Sequence, residues 1–291
     1  MDTKILKNFL QIANDGNMTK SSEFLKISQP TLSRQIRGLE KELGIKIFER
    51  GNHKMSLTAE GLILRQHAEE ILTIARKTES EFKNTGEIVK GDIHIGCAES
   101  CGMSAFINKA KTLNNKHPFV GFHFYSGDTR DVEILMSKGI LDMAVIVQDV
   151  DMAKYNYIEL PSNDIWGAVI RKDSPLALKE TIELDDIIQY PLIVSRQGLE
   201  TDLMPMFGER KKELKVVATY NLFYNASVMV KEGLGVAIAL SGLINTDDNC
   251  PLCFRPISPV IKSPLYVIWK KYQTLTTAAK LLIDELKTAG F

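Results

Sequence analysis

The sequence predicts an α + α/β chain: a small all-helical head, one long helix, and a larger α/β body. Three observations predict it. Short amphipathic helices with strong polar caps crowd the first 58 residues. A proline-free helical stretch runs from Ala59 to about Lys83. From about Gly91 onward, β-branched runs alternate with amphipathic segments, as they do where strands and helices stack in layers.

In the first helix, Ile5, Phe9, Ile12 and Ala13 share a face, and Gly16 marks its end. The second is expected to start at Thr19 as N-cap and run to Leu25, burying Ser22, Phe24 and Leu25. Only Lys26 and Ile27 separate it from Ser28, the next good N-cap. Two short helices joined so tightly must cross steeply, which is helix-turn-helix geometry.

The third helix is written in "SQPTLSRQIRGLEKELG". Ser28 stands at its cap, and Pro30 lies in the first turn, where a missing N–H breaks no intrahelical bond. Leu32, Ile36, Leu39 and Leu43 make one apolar stripe, and Gly44 offers the left-handed stop. The other face carries Ser28, Gln29, Pro30, Thr31, Ser33, Arg34 and Arg37, grouped toward the N-terminal half. A carboxamide, hydroxyls and two guanidiniums match the groups a DNA major groove displays. A polar helix face alone is usually just a solvated one. The steep helix pair beside it turns the reading toward DNA.

"IKIFERGNHKMSLT" reads as two short strands about a basic turn, with Ile47 and Phe48 facing inward. Beside a helix-turn-helix such a hairpin is a wing, and Arg50, His53 and Lys54 would reach phosphates or the adjacent minor groove. The first 58 residues hold ten Lys/Arg against six Asp/Glu, a local balance of about +4 in a chain whose net charge is +0. A polyanion site must therefore be local, with salt-dependent affinity.

On these residues, "FLQIANDGNMTKSSEFLKISQPTLSRQIRGLEKELGIKIFERGNHKMSLTAEG" resembles the N-terminal signature of the LysR-type transcriptional regulators. Ser21–Ser22 stands where that family usually has two alanines. The resemblance implies a winged helix-turn-helix DNA-binding domain (1–58), a linker and dimerisation helix (59–88), and a two-lobed periplasmic-binding-protein-like (type 2) effector domain (89–291). Lobe I would take about 91–160 and 267–291, and lobe II about 161–266.

Along the linker, Leu64, Ala68, Ile71, Ala75, Thr78 and Phe82 follow spacings of four and three, an a/d seam over nearly three heptads. A helix of about 25 residues spans roughly 35–40 Å. The expected cover for the seam is a second copy, so that two heads address two half-sites. Packing on the chain's own head is the alternative.

In the body, "GDIHIGC", "VGFHFYS" and "LDMAVIV" read as parallel strands with helices between. "IWGAVI", "PLIV", "KVVAT" and "GVAIAL" form a second set, and "SPLYVIW" with a last helix from about Leu275 to Leu286 returns to the first. Such lobes leave a cleft between the C-terminal ends of their strands. Loop positions place Glu99, Ser100, Cys101, Thr129 and Gln148 there from one side, and Ser195, Arg196, Gln197 and Thr201 from the other. Among these the resemblance favours Ser100 and Thr129. Tyr220, Asn221 and Tyr224 are further candidates for the wall. Arg196 would suit an anion, whereas Glu99 would suit an amine.

The 44% hydrophobic and 25% charged residues are those of a globular chain. The N-terminus does not read as an export signal, and no apolar run approaches the roughly 18 residues of a membrane span, so a cytoplasmic place is expected. Cys97, Cys101, Cys250 and Cys253 read as free thiols; "CPLC" lacks a second pair to complete a zinc site. An enzyme is disfavoured because neither a nucleophile with its His and Asp nor a metal-spaced His cluster is visible. A solute carrier would need export. Double-stranded DNA, a small-molecule effector, a second copy (as a homodimer or homotetramer) and RNA polymerase are the expected partners, with no cofactor and no membrane.

Overall fold

The computed structural model describes residues 1–50, 55–83, 89–147, 151, 153–161, 164–200 and 207–288. The chain separates into two compact units, Met1–Thr85 and Gly86–Phe291.

The first unit opens with α1 (Thr3–Asp15), capped by Asp2 and ended by Gly16 in the left-handed region. α2 (Met18–Leu25) starts at Asn17, whose side chain accepts from Thr19 and Lys20 N–H, so the cap lies two residues before the expected Thr19. Starting there turns Ser21 and Ser22 inward, and the Ser21 hydroxyl donates to Asp15 Oδ2 at 2.8 Å. Phe24, expected in the core, is instead 70% exposed, since α2 turns Ser21, Ser22, Met18 and Leu25 toward its neighbours and Phe24 away from them.

α3 (Gln29–Leu43) runs from Ser28 to Gly44 and buries Leu32, Ile36 and Leu39, each contributing roughly 1.5–3 kcal/mol. Leu43, the last residue of the expected stripe, falls in the final turn beyond the packed surface and is exposed. β1 (Phe48–Arg50) pairs antiparallel with β2 (Met55–Leu57), Arg50 opposite Met55.

α4 (Ala59–Lys83) follows. The Thr58 hydroxyl donates to Lys46 O at 2.7 Å and accepts the Gly61 N–H at 2.9 Å, pinning the start of α4 to the chain entering β1. Leu64, Ala68 and Leu72 are buried in one cluster with Leu6, Phe9 and Ile12, and Ile71 packs on its edge. This corrects the expected dimer seam: Leu64 and Ala68 are buried in the chain's own head, and Ile71 is half-covered by it. Ala75 is half-buried and Thr78 exposed, while the side chain of Phe82 lies outside the described residues. Among the described residues, the large apolar side chains that α4 leaves exposed are Leu62, Ile63 and Ile74.

The second unit has two five-stranded sheets. In the first, β3 (Gly91–Cys97) lies parallel to β4 (Val120–Ser126) and β5 (Met143–Ile146), joined by α5 (Met103–Lys116) and α6 (Thr129–Ser137). β6 (Tyr155–Leu160) stands at its edge. The second sheet holds β7 (Trp166–Arg171), β8 (Leu192–Ser195), β9 (Val216–Tyr220), β10 (Val236–Leu240) and β11 (Leu252–Pro256), with α7 (Leu184–Ile187), α8 (Arg196–Glu200) and α9 (Phe223–Lys231) between strands. β12 (Leu265–Lys270) returns to the first sheet between β5 and β6, antiparallel to both, and α10 (Thr277–Lys287) packs beside α5. That return begins two residues before the expected 267.

β7 runs antiparallel to β10, so Trp166 at its start lies opposite Leu240 at the end of β10. The two crossovers meet where Ile165 bridges Lys262 and Ser263 N–H donates to Asp164 O at 2.9 Å.

Candidate functional site

Two regions bring the expected functional residues together. On α3, the buried leucine stripe fixes which way the opposite face points. Ser28, Gln29, Pro30, Thr31, Arg34 and Arg37 are exposed and Ser33 is half-buried. Ser28 makes no backbone cap; its hydroxyl meets that of Thr31 at 2.8 Å. Arg37 donates to Ser33 Oγ at 3.1 Å, which holds its guanidinium along the helix. Arg34 takes part in no ion pair among the described residues. Arg50 ends β1, but its side chain, and the whole of His53 and Lys54, lie outside the described residues.

The second region is a cavity of about 60 Å³ between the two sheets, at the C-terminal ends of their parallel strands. Glu99 and Asp128 line it from the first lobe, and Trp166, Ser195, Gln197 and Phe223 from the second.

Contacts across the cleft hold the lobes together. Gln197 Oε1 accepts the Thr129 N–H at 2.9 Å. Arg196 meets Asp128 at 2.8 Å and Asp131 at 3.5 Å. The Glu99 carboxylate accepts the Phe223 N–H at the start of α9. Ser100 and Cys101 both donate to the fully buried Asp164 at the crossover, Cys101 Sγ at 2.6 Å from Oδ1.

The structure thus divides the residues read from the sequence. Glu99, Ser195 and Gln197 line the cavity, as do Tyr220 and Asn221. Ser100, Cys101, Thr129 and Arg196 are not among its lining and serve lobe-to-lobe contacts instead. The Thr129 hydroxyl oxygen is buried without a hydrogen-bond partner. Tyr224 points away and is 75% exposed. Gln148 and Thr201 lie outside the described residues. The sequence reading missed Trp166, Phe223 and Asp164. Trp166 was hidden inside a strand that looks like plain core, and only the antiparallel direction of β7 carries it to the cleft.

Two free thiols stand near the cleft, Cys97 buried and Cys101 exposed as a residue. Burial, followed by the hydrogen bond to Asp164, pushes the Cys101 thiol up to about 11. Burial likewise raises Cys97. A shift of two units from an ordinary 9 lowers the thiolate fraction about 100-fold at neutral pH, and the more basic sulfur recovers about tenfold of that in nucleophilicity. Cys101 is therefore expected to alkylate about ten times more slowly than a free thiol at pH 7.5, the rate climbing until about pH 11. Mass-resolved iodoacetamide labelling reads this directly, and a fast reaction at neutral pH would contradict it.

Comparison with known proteins now decides the family. Residues 87–290 match the LysR substrate binding domain, and residues 3–62 match the bacterial regulatory helix-turn-helix protein, lysR family. The chain belongs to the LysR family. It is a LysR-type transcriptional regulator, with a helix-turn-helix DNA-binding domain and an effector-binding domain, in a family of regulators rather than enzymes.

This LysR-family chain is 27% identical over 287 residues to the HTH-type transcriptional regulator YvbU of Bacillus subtilis (strain 168), which spans 97% of this chain and 96% of that protein. It is 25% identical over 292 residues to the HTH-type transcriptional regulator BsdA of the same organism, spanning 98% and 99%. In fold it is similar to full-length CbnR crystallised with its target DNA, at a TM-score of 0.75 and 16% identity, over 99% of this chain and 100% of that one. No helix among the described residues is long and apolar enough to cross a membrane.

Proposed function

We propose that this LysR-type regulator reads a two-fold operator through α3 and changes its DNA-bound form when a small molecule enters the cleft between its lobes. The observation that carries this reading is the pair of lobe-spanning contacts, Gln197 to Thr129 and Arg196 to Asp128, around a lined cavity. A ligand that binds one lobe spacing better than another shifts the population toward it.

On DNA, Gln29, Ser33, Arg34 and Arg37 address base edges and nearby phosphates, with Ser28, Pro30 and Thr31 at the helix start and Arg50, His53 and Lys54 in the wing. Two copies pair, as homodimers that assemble further into homotetramers. On α4 the surface left for pairing is the face bearing Ile63 and Ile74, which stand eleven residues, or three turns, apart. The protein acts in the cytoplasm, needs no cofactor, and communicates with RNA polymerase.

Footprinting of the purified chain on the DNA beside its own gene tests the reading. Two protected half-sites separated by whole helical turns are expected. Gln197→Ala, which removes the clamp on Thr129, is expected to alter the extent of protection. A chain that protects no segment at low salt fails as an operator reader, and an unaltered footprint in Gln197→Ala counts against control by the lobes.

A further inference from the structure

We propose that the effector of this regulator is a small organic cation, an amine with a short apolar body, and that Glu99 is its counter-ion. The inference rests on the cleft being the effector site and adds the chemical class that the site accepts.

Charge points that way. The described residues lining the cavity include two carboxylates, Glu99 and Asp128, and no Lys or Arg. Asp128 has its cation, since Arg196 reaches it at 2.8 Å. Among the described residues no cation pairs with Glu99, whose hydrogen bond is with the neutral N–H of Phe223. The helix start meets this half-buried carboxylate with partial positive charge only, so its charge stays open to pairing with an incoming ammonium.

Glu99 also blocks the opposite choice. The start of α9, with its outward N–H groups, is the natural seat for a ligand's carboxylate. Glu99 crosses from the first lobe and sits on it. The protein has supplied the anion from its own chain, so a ligand anion would have to displace a tethered carboxylate and then lie beside it.

The remaining wall suits the proposed body. Trp166, Tyr220 and Phe223 offer aromatic rings, which attract a cation over their faces, while Leu240 and Leu243 offer aliphatic surface. Arg196 does not rescue an anionic ligand, because Asp128 and Asp131 both hold it. At about 60 Å³ the cavity takes a ligand of a few heavy atoms without the lobes moving.

Three probes of nearly equal shape separate the classes: propylamine, 1-propanol and propionate, each titrated into the full-length protein at matched ionic strength. Thermal shift and calorimetry give the readout. Propylammonium is expected to raise the melting temperature of the second unit and to bind at least tenfold more tightly than either rival. Glu99→Gln is expected to weaken that binding at least tenfold. In Glu99→Ala the vacated start of α9 is expected to accept acetate, which the parent protein ignores.

Propionate binding as well as propylamine would overturn the cationic assignment while leaving the cleft as the effector site. Propylamine binding that survives Glu99→Gln unchanged would overturn the role of Glu99. Silence from all three probes up to 100-fold above millimolar would overturn the class assignment. The cleft reading itself would then be judged separately by the Gln197→Ala footprint.

Discussion

Arg34→Ala is expected to remove operator binding while leaving the protein folded and its copies paired. Leu32, Ile36 and Leu39 anchor α3 from the far side, so truncating an exposed side chain on the polar face costs no core contact. A good bidentate base contact contributes about 1–3 kcal/mol of discrimination, and a two-fold protein loses it twice. The affinity for operator should fall at least about 30-fold, whereas binding to random DNA should fall only by the loss of one charge per copy. Arg37→Ala makes the useful contrast, because that guanidinium is already held by Ser33. Fluorescence anisotropy with operator and scrambled duplexes, beside light scattering for oligomeric state, measures all three quantities. Full operator affinity in Arg34→Ala would remove α3 from the role of reader.

Gly61→Ala should destabilise the head selectively. A Cβ at this position would stand 2.2 Å from Ile47 O and 3.1 Å from Leu57 Cδ2. The oxygen belongs to backbone, and it also accepts the Thr58 N–H at 3.1 Å, so it cannot easily retreat. Alanine gains up to about 1 kcal/mol over glycine in a helix. Overpacking commonly costs about 1–3 kcal/mol, and more where backbone must shift. Because the obstructing oxygen is backbone, the cost lies at or above the top of that range and the clash wins by about 2 kcal/mol or more, a large part of a stability of about 0.05–0.15 kcal/mol per residue in a unit this small. Calorimetry should show the transition of the first unit lowered by about 10 °C or more, with that of the second unit unmoved. A head that melts within 2 °C of the parent would mean that α4 enters at a different height.

How much of this was legible in the sequence depends on what each residue answers to. The stripe of α3 and the span of α4 follow from helical periodicity and capping, which are local; the span stands in the structure, and the stripe stands as far as Leu39. The parallel run of β3, β4 and β5 was equally plain from its short apolar runs separated by amphipathic helices, although β4 buries only Val120. Periodicity shows that α4 has an apolar side but cannot show what covers it. Leu64 and Ala68 accordingly met α1 where a second copy was expected. Phe24 failed for a related reason: on a two-turn helix every apolar residue looks like core until the neighbours are placed. β6 and β11 escaped notice as edge strands, with polar or proline residues diluting their pattern.

The cleft was half legible. Loops that follow parallel strands point to it from sequence order alone, which brought Glu99, Ser195 and Gln197. Trp166 arrives from the beginning of an antiparallel strand and Asp164 from a crossover, and no local signal announces either. Ser100 and Thr129 stand beside the cavity and not in its lining, since neither the Ser100 hydroxyl's bond to Asp164 nor the Thr129 N–H's bond to Gln197 can be read before those partners are fixed in space.

The helix that follows the wing changes how this protein can be cut and recombined. Because Leu64, Ala68 and Leu72 complete the head's interior, a portable DNA reader severed at Thr58 would carry an open wound of leucine and phenylalanine. A chimaera that grafts this head onto a foreign sensor has to keep the native sequence through Leu72, and choose its splice point after it.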